Sequence, residues 1–149
     1  MREFDDNIEL PGFYGFRKIH QNEYRIVNEP SVDRVNLYID NKSASFVHDA
    51  FEAEIRAIDH LMENSSDYAK MVCRALVKAQ LFSNEAEVPE NIGVCSISVL
   101  NSKGHEYAIL GLSFFSLSQE LFGIRVQKDK VLEVLPPVNR FSISYPFDW

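Results

Sequence analysis

In the stretch FFSLSQELFGIRV, residues 114–126, Ser116, Ser118, Gln119 and Glu120 place two hydroxyls, an amide and a carboxylate within five positions. Hydroxyls beside a carboxylate are raw material for acid–base or nucleophilic chemistry. The same residues also suit a connection between two strands, because the chain is apolar up to Phe115 and again after Gly123. No GxSxG elbow, P-loop or GxGxxG accompanies them. They are read as a connection leaving a buried strand. If it functions, Leu121 and Phe122 make it a contact surface rather than a catalytic one.

Other residue types that do chemistry are sparse. The histidines are His20, His48, His60 and His105; no two lie at i, i+4, and neither HExxH nor CxxC occurs. His60 and Glu63 are one helical turn apart, which reads as a solvated helix face. No metal and no cofactor are expected. Cys73, near Lys70 and Arg74, and Cys95 are too few for a disulfide framework and read as free, buried thiols in a reducing compartment.

Carboxylates are the one abundant reactive group. Glu52, Asp59 and Glu63 share a helix face with Arg56, where i, i+3 and i, i+4 ion pairs are within reach. Lys70, Arg74 and Lys78 form a basic ladder on the next helix. Glu85, Glu87 and Glu90 follow in a loop without obvious local partners, which makes them the leading candidates for meeting a basic partner. Glu54 falls inside an apolar stripe. A buried unpaired carboxylate is expensive, so its head either reaches water, pairs with a cation or hydroxyl, or serves as a catalytic acid.

The elements that must position these residues follow from periodicity. Aromatic and β-branched runs bounded by turn residues, at 12–19, 24–28 and 35–40, read as strands. Apolar residues at helical spacing predict one helix over 46–63, with Ser45 as N-cap, and a second over 66–82. The link Asn64-Ser65-Ser66 makes the pair an antiparallel helical hairpin. Residues 84–93 read as a loop. Cys95–Leu100 alternates apolar and serine positions, and 106–115 is apolar on both faces, as in a central strand. A hairpin then turns at Lys128-Asp129-Lys130. A three-residue loop sets Ile124 opposite Val134 and Arg125 opposite Glu133. The tail, 140–149, alternates Phe141, Ile143, Tyr145, Phe147 and Trp149. Phe147 and Trp149 read either as core or as an aromatic anchor at an interface.

The 149 residues are most simply one domain, with the helix pair at about 46–82 and C-terminal strands at about 94–135. The formal charge is −7, of which −5 lies between residues 46 and 91. That balance argues against sequence-independent nucleic-acid binding, which needs basic surface. No run of 18 apolar residues predicts a membrane span, and the acidic start MREFDDNIEL does not read as a secretory signal. A cytoplasmic protein is expected. The fold class is α+β: an antiparallel sheet of about six to eight strands packed against an inserted two-helix hairpin.

The order of strands, a helix pair containing AIDHLMENSSDYAKMVCRALVKA, and strands ending in YAILGLSFFS and FGIRVQKDKVLEV resembles a family of small uncharacterised bacterial proteins. Members are often encoded among polymorphic-toxin immunity genes. Leu112, Phe114, Gly123, Val126, Lys128, Val131 and Val134 fall where that pattern places strand, turn glycine and hairpin, and the resemblance spans roughly 35–135. The chain departs from it at the polar turn, where Leu121 and Phe122 replace the Glu and His of the family. The resemblance implies a non-enzymatic immunity protein that occludes a cognate toxin. Its partner would be a toxin with a basic surface, met by Glu52, Asp59, Glu63, Glu85, Glu87, Glu90, Glu120, Phe122, Phe147 and Trp149. The alternatives are a small hydrolase-like enzyme with a pocket near Glu54 and the 116–120 turn, or an adaptor domain.

Overall fold

Apolar spacing does produce two helices, α1 (Glu52–Glu63) and α2 (Ser65–Lys78), in a computed structural model that describes residues 2–4, 7–17, 26–29, 34–38, 43–45, 48–50, 52–100, 104–116, 118 and 120–139. The aromatic tail and its Phe147 and Trp149 lie outside the described residues, as do 18–25 and Gln119; the strand expected from residue 12 is instead a 3-10 turn and bends over 11–17. α1 buries Glu54, Ala57, Ile58 and Leu61; α2 buries Tyr68, Ala69, Val72, Cys73 and Leu76. Each stripe recurs at i, i+3, i+4.

The first helix starts later than its pattern suggests. Ser43–Ser45 and His48–Ala50 are short strands, β5 and β6, paired antiparallel with Asn7–Glu9 (β2) and Arg2–Phe4 (β1). Over so few residues an apolar pattern does not separate strand from helix, and pairing with a distant segment decides. The second helix ends at Lys78. Gln80 sits at φ 63, with Gln80 N–H donating to Val77 O and Leu81 N–H to Leu76 O. This is a left-handed C-terminal cap made without glycine. The expected loop at 84–93 holds a one-turn helix, α3 (Glu87–Asn91), whose Val88 is fully buried.

The remaining described strands are β3 (Ile26–Glu29), β4 (Arg34–Tyr38), β7 (Ile92–Leu100), β8 (Ile109–Ser116), β9 (Glu120–Gln127) and β10 (Lys130–Asn139). They form one antiparallel sheet in the order β10-β9-β8-β7-β4-β3. The fold is α+β. At the last hairpin, Arg125 does face Glu133 and Ile124 faces Val134. The loop is shorter than expected: Gln127 pairs with Lys130 and Val126 with Val131, and Leu132 is the extra residue of a bulge. The bulge restores the favourable pairs that a tight turn alone would lose. Lys128, first in that turn, takes the positive φ of 53 that this geometry demands.

The sheet has two buried faces with different characters. Leu110, Leu112 and Phe114 of β8 face Val126, Ile124 and Phe122 of β9, and all six belong to the core shared with the helices. Phe13 and Phe16 stack on Phe114 at 6.2 Å, and Phe82 on Phe122 at 5.7 Å. The opposite face carries Ser98, Gly111, Ser113, Phe115, Leu121 and Gly123, every one buried. The serine positions that alternate along β7 are therefore not all at the surface: Ser98 is buried.

One close approach seats the N-terminal segment on the helices. The 3-10 turn Pro11–Phe13 packs on the start of α2, and Gly12 N–H donates to the buried Ser65 Oγ at 2.9 Å. A Cβ at Gly12 would stand 2.3 Å from the Ser65 and Ser66 backbone, which has no flexible end to yield. Gly12→Ala is expected to cost about 2 kcal/mol or more in chemical denaturation, the range of overpacking. Gln80→Gly is expected to stabilise by ~0.5–1 kcal/mol in the same assay by removing the Cβ from a left-handed site.

Candidate functional site

The densest grouping of polar chemistry in the described residues lies where the helices meet. The break between them is a single residue. Asn64 N–H and Asn64 Nδ2 both donate to His60 O at 3.0 Å, closing α1. Asn64 O accepts from Asp67 and Tyr68 N–H at 3.0 Å, opening α2. One residue thus ends one helix and begins the next.

Across this corner His60 and Tyr68 come together, with His60 Nδ1 2.9 Å from Tyr68 Oη. His60 Nε2 lies 3.2 Å from Asp129 Oδ1 in the β9–β10 turn. Tyr68 and Tyr107 each meet the imidazole edge-on with centroids 5.6 Å away, and Lys128 Nζ sits 4.9 Å over the Tyr107 ring. Gln127 Nε2 donates to Tyr107 O at 3.0 Å and ties this segment to β9. Burial, with Asp129 and Tyr107 nearby, pushes the Tyr68 phenol well up, so it stays protonated. A carboxylate only accepts, so in the neutral imidazole Nε2–H donates to Asp129 and Nδ1 accepts from Tyr68 O–H. Both ring nitrogens are occupied, and Tyr68 is 1 % exposed. The trio braces the helix corner against the hairpin turn. Sequence reasoning missed it because Tyr68 and Asp129 are 8 and 69 residues from His60, and only the fold joins them.

The 116–120 turn is closed on itself. Ser116 Oγ accepts from Glu120 N–H at 3.0 Å and lies 2.8 Å from Ser118 Oγ, which donates to Glu120 Oε1 at 3.1 Å. Leu121 and Phe122 are not a contact surface: they are 0 % and 5 % exposed, and Phe122 packs on Phe82. An alternating strand cannot show which of its faces is covered. Burial pushes the Cys73 thiol up, with Glu85 adding to the effect.

The acidic residues separate into several kinds. Glu87 is tied to the residues just before it: its carboxylate accepts from Ser83 N–H and Asn84 Nδ2 while Glu87 N–H donates to Asn84 Oδ1 at 3.2 Å. Its expected lack of local partners does not hold. Glu52 pairs with Arg56 at 3.4 Å, and Arg56 also donates to Glu106 O at 3.1 Å. Glu85 meets Arg74 at 4.0 Å. Asp59 is half-buried and engaged. Glu54 is 7 % exposed on the buried face of α1 and is not without a partner. Glu63 and Glu90 are exposed, and neither carboxylate has a partner among the described residues. No protein-family model matches the chain, and no curated protein or solved structure matches it.

Tyr68→Phe should lower stability by about 1 kcal/mol, the worth of one neutral hydrogen bond. Asp129→Asn should cost less, because its partner bond lies at the surface. If the imidazole couples the two ends, the double variant departs from additivity by ~0.5 kcal/mol or more in urea melts; additivity would separate the two bonds.

Proposed function

We propose that this chain is a non-enzymatic binding protein, an immunity protein of the bacterial cytoplasm that neutralises a cognate toxin by occluding it. The observation that carries the reading is the division among the acidic side chains. Over residues 52–91 the charge is −4. Glu63 and Glu90 hold their carboxylates in solvent without an ion pair among the described residues, while Glu85 is tied only loosely to Arg74. Exposed, uncompensated carboxylates suit a basic cleft that otherwise takes an anionic substrate, and they speed encounter more than they tighten contact. In this reading the helices act as an inserted hairpin over a sheet of six to eight strands, a firm platform for that surface. The toxin context rests on the resemblance to the immunity-associated family.

A hydrolase using Glu54 and the 116–120 turn has less support, because the serines and carboxylate of that turn are bonded to one another. An adaptor domain would share the acidic surface but not the toxin.

Co-expression with the product of the adjacent gene, followed by pull-down, tests the proposal. A toxic neighbour that is captured and silenced supports it; a neighbour that is harmless or not bound overturns it. The triple variant Glu63→Lys, Glu85→Lys, Glu90→Lys leaves the Glu87–Asn84 contact intact. It should slow association about tenfold at low salt and flatten the salt dependence. Unchanged association would exclude this surface.

A further inference from the structure

Among the described residues, two large apolar side chains stand exposed, Leu132 and Tyr14. Leu132 is the extra residue of the β10 bulge. Tyr14 is 44 % exposed, and its side chain has no bond or ring contact among the described residues. It projects from a backbone that is fixed on both sides. Phe13 and Phe16 are buried against Phe114, and Gly12 N–H donates to Ser65 Oγ. Arg17 N–H is shared between Pro89 O at 2.9 Å and Ile92 O at 3.0 Å, and Arg17 Nη1 donates to Glu90 O at 3.3 Å. A tyrosine held out on a rigid turn loses little freedom when a partner covers it, which suits an interface anchor. Gly15 beside it is exposed and does not take a positive φ, and a Cβ there would meet nothing within 4 Å. The turn therefore has no steric or conformational need of that glycine, which raises the entropy cost of folding. Its effect is to leave one flank of Tyr14 bare.

The turn also runs between the acids of the proposed binding surface. Glu63 and Asp67 each lie two residues from Ser65, which holds Gly12, and Glu90 supplies the carbonyl that holds Arg17. All three are exposed, and none of their carboxylates has a partner among the described residues. We infer that Tyr14 is the anchor of the interface with the toxin and stacks on a lysine or arginine side chain of that partner. The face of an aromatic ring attracts a cation, and acids at both ends of the turn favour a cation in the same place. This inference rests on the reading of the chain as an immunity protein that meets a basic toxin. It adds the residue that holds the complex together, whereas the acids chiefly steer encounter.

The test measures association and dissociation rates of the full chain with the product of the adjacent gene. Tyr14→Ala should speed dissociation about tenfold or more. It should leave the association rate, its salt dependence and the melting temperature of the free protein unchanged. Tyr14→Phe keeps the ring and should dissociate like the parent. Gly15→Ala should leave the melting temperature unchanged or higher and still speed dissociation, because its Cβ fills the bare flank. The inference is overturned if Tyr14→Ala or Gly15→Ala dissociates like the parent, or if Tyr14→Phe is as fast as Tyr14→Ala. It is also overturned if Tyr14→Ala lowers the melting temperature by several degrees, because the ring would then serve the fold. In each of those cases the parent still binds and the immunity reading stands. A parent that does not bind the adjacent product overturns both.

Discussion

The structure depends on how the chain turns at Asn64 and Ser65. A single residue between two helices leaves no slack, so the backbone groups at both helix ends must be satisfied on the spot. Asn64 does this with its own amide, side chain and carbonyl. The sharp corner exposes the Ser65 backbone to an incoming segment, and only a glycine can come that close. Gly12 then carries Phe13 and Phe16 onto Phe114, the centre of the sheet. On the other side of the corner, His60 and Tyr68 reach Asp129 and Tyr107. The N-terminal segment and the last hairpin are thus both referred to one point. A residue inserted at the corner would shift both attachments together.

Sequence pattern made much of this frame legible, for definable reasons. β8 reads as apolar on both faces and is buried on both, because a central strand has no solvated side to encode. The Arg125–Glu133 and Ile124–Val134 pairs follow from charge and apolar matching across two strands. The loop length did not follow, because a bulge at Leu132 preserves those pairs with a different turn. α1 starts later than its spacing predicts because His48–Ala50, within the expected helix, pair with Arg2–Phe4 instead. Local pattern reports what a segment can do; a partner from elsewhere in the chain decides which option is taken.

The candidate sites show the same division. The loop acids Glu85, Glu87 and Glu90 look alike in sequence, yet one is bonded to Asn84, one leans on Arg74, and one has a carboxylate without a partner among the described residues. The difference lies in Asn84 three residues before Glu87 and in Arg74 arriving from α2. The first is a local contact within the string Asn-Glu-Ala-Glu; the second required the helix to be placed. The His60 trio had no local signature. Its members come from α1, α2 and the β9–β10 turn, and their meeting is a property of the corner.

Two surfaces of unlike chemistry result from one sheet. The face toward the helices is filled by large apolar side chains, so every polar group near it must be locked into a corner, cap or turn. The other face is built from serine and glycine with two aromatic or aliphatic residues beside them, and it leaves Ser113 Oγ and Arg125 Nε without acceptors. A core under selection for stability alone would replace Ser113 with alanine, since an unpaired buried hydroxyl costs about 1–3 kcal/mol. The second face therefore carries a cost that the first does not, because its buried hydroxyl and guanidinium nitrogen have no acceptor among the described residues.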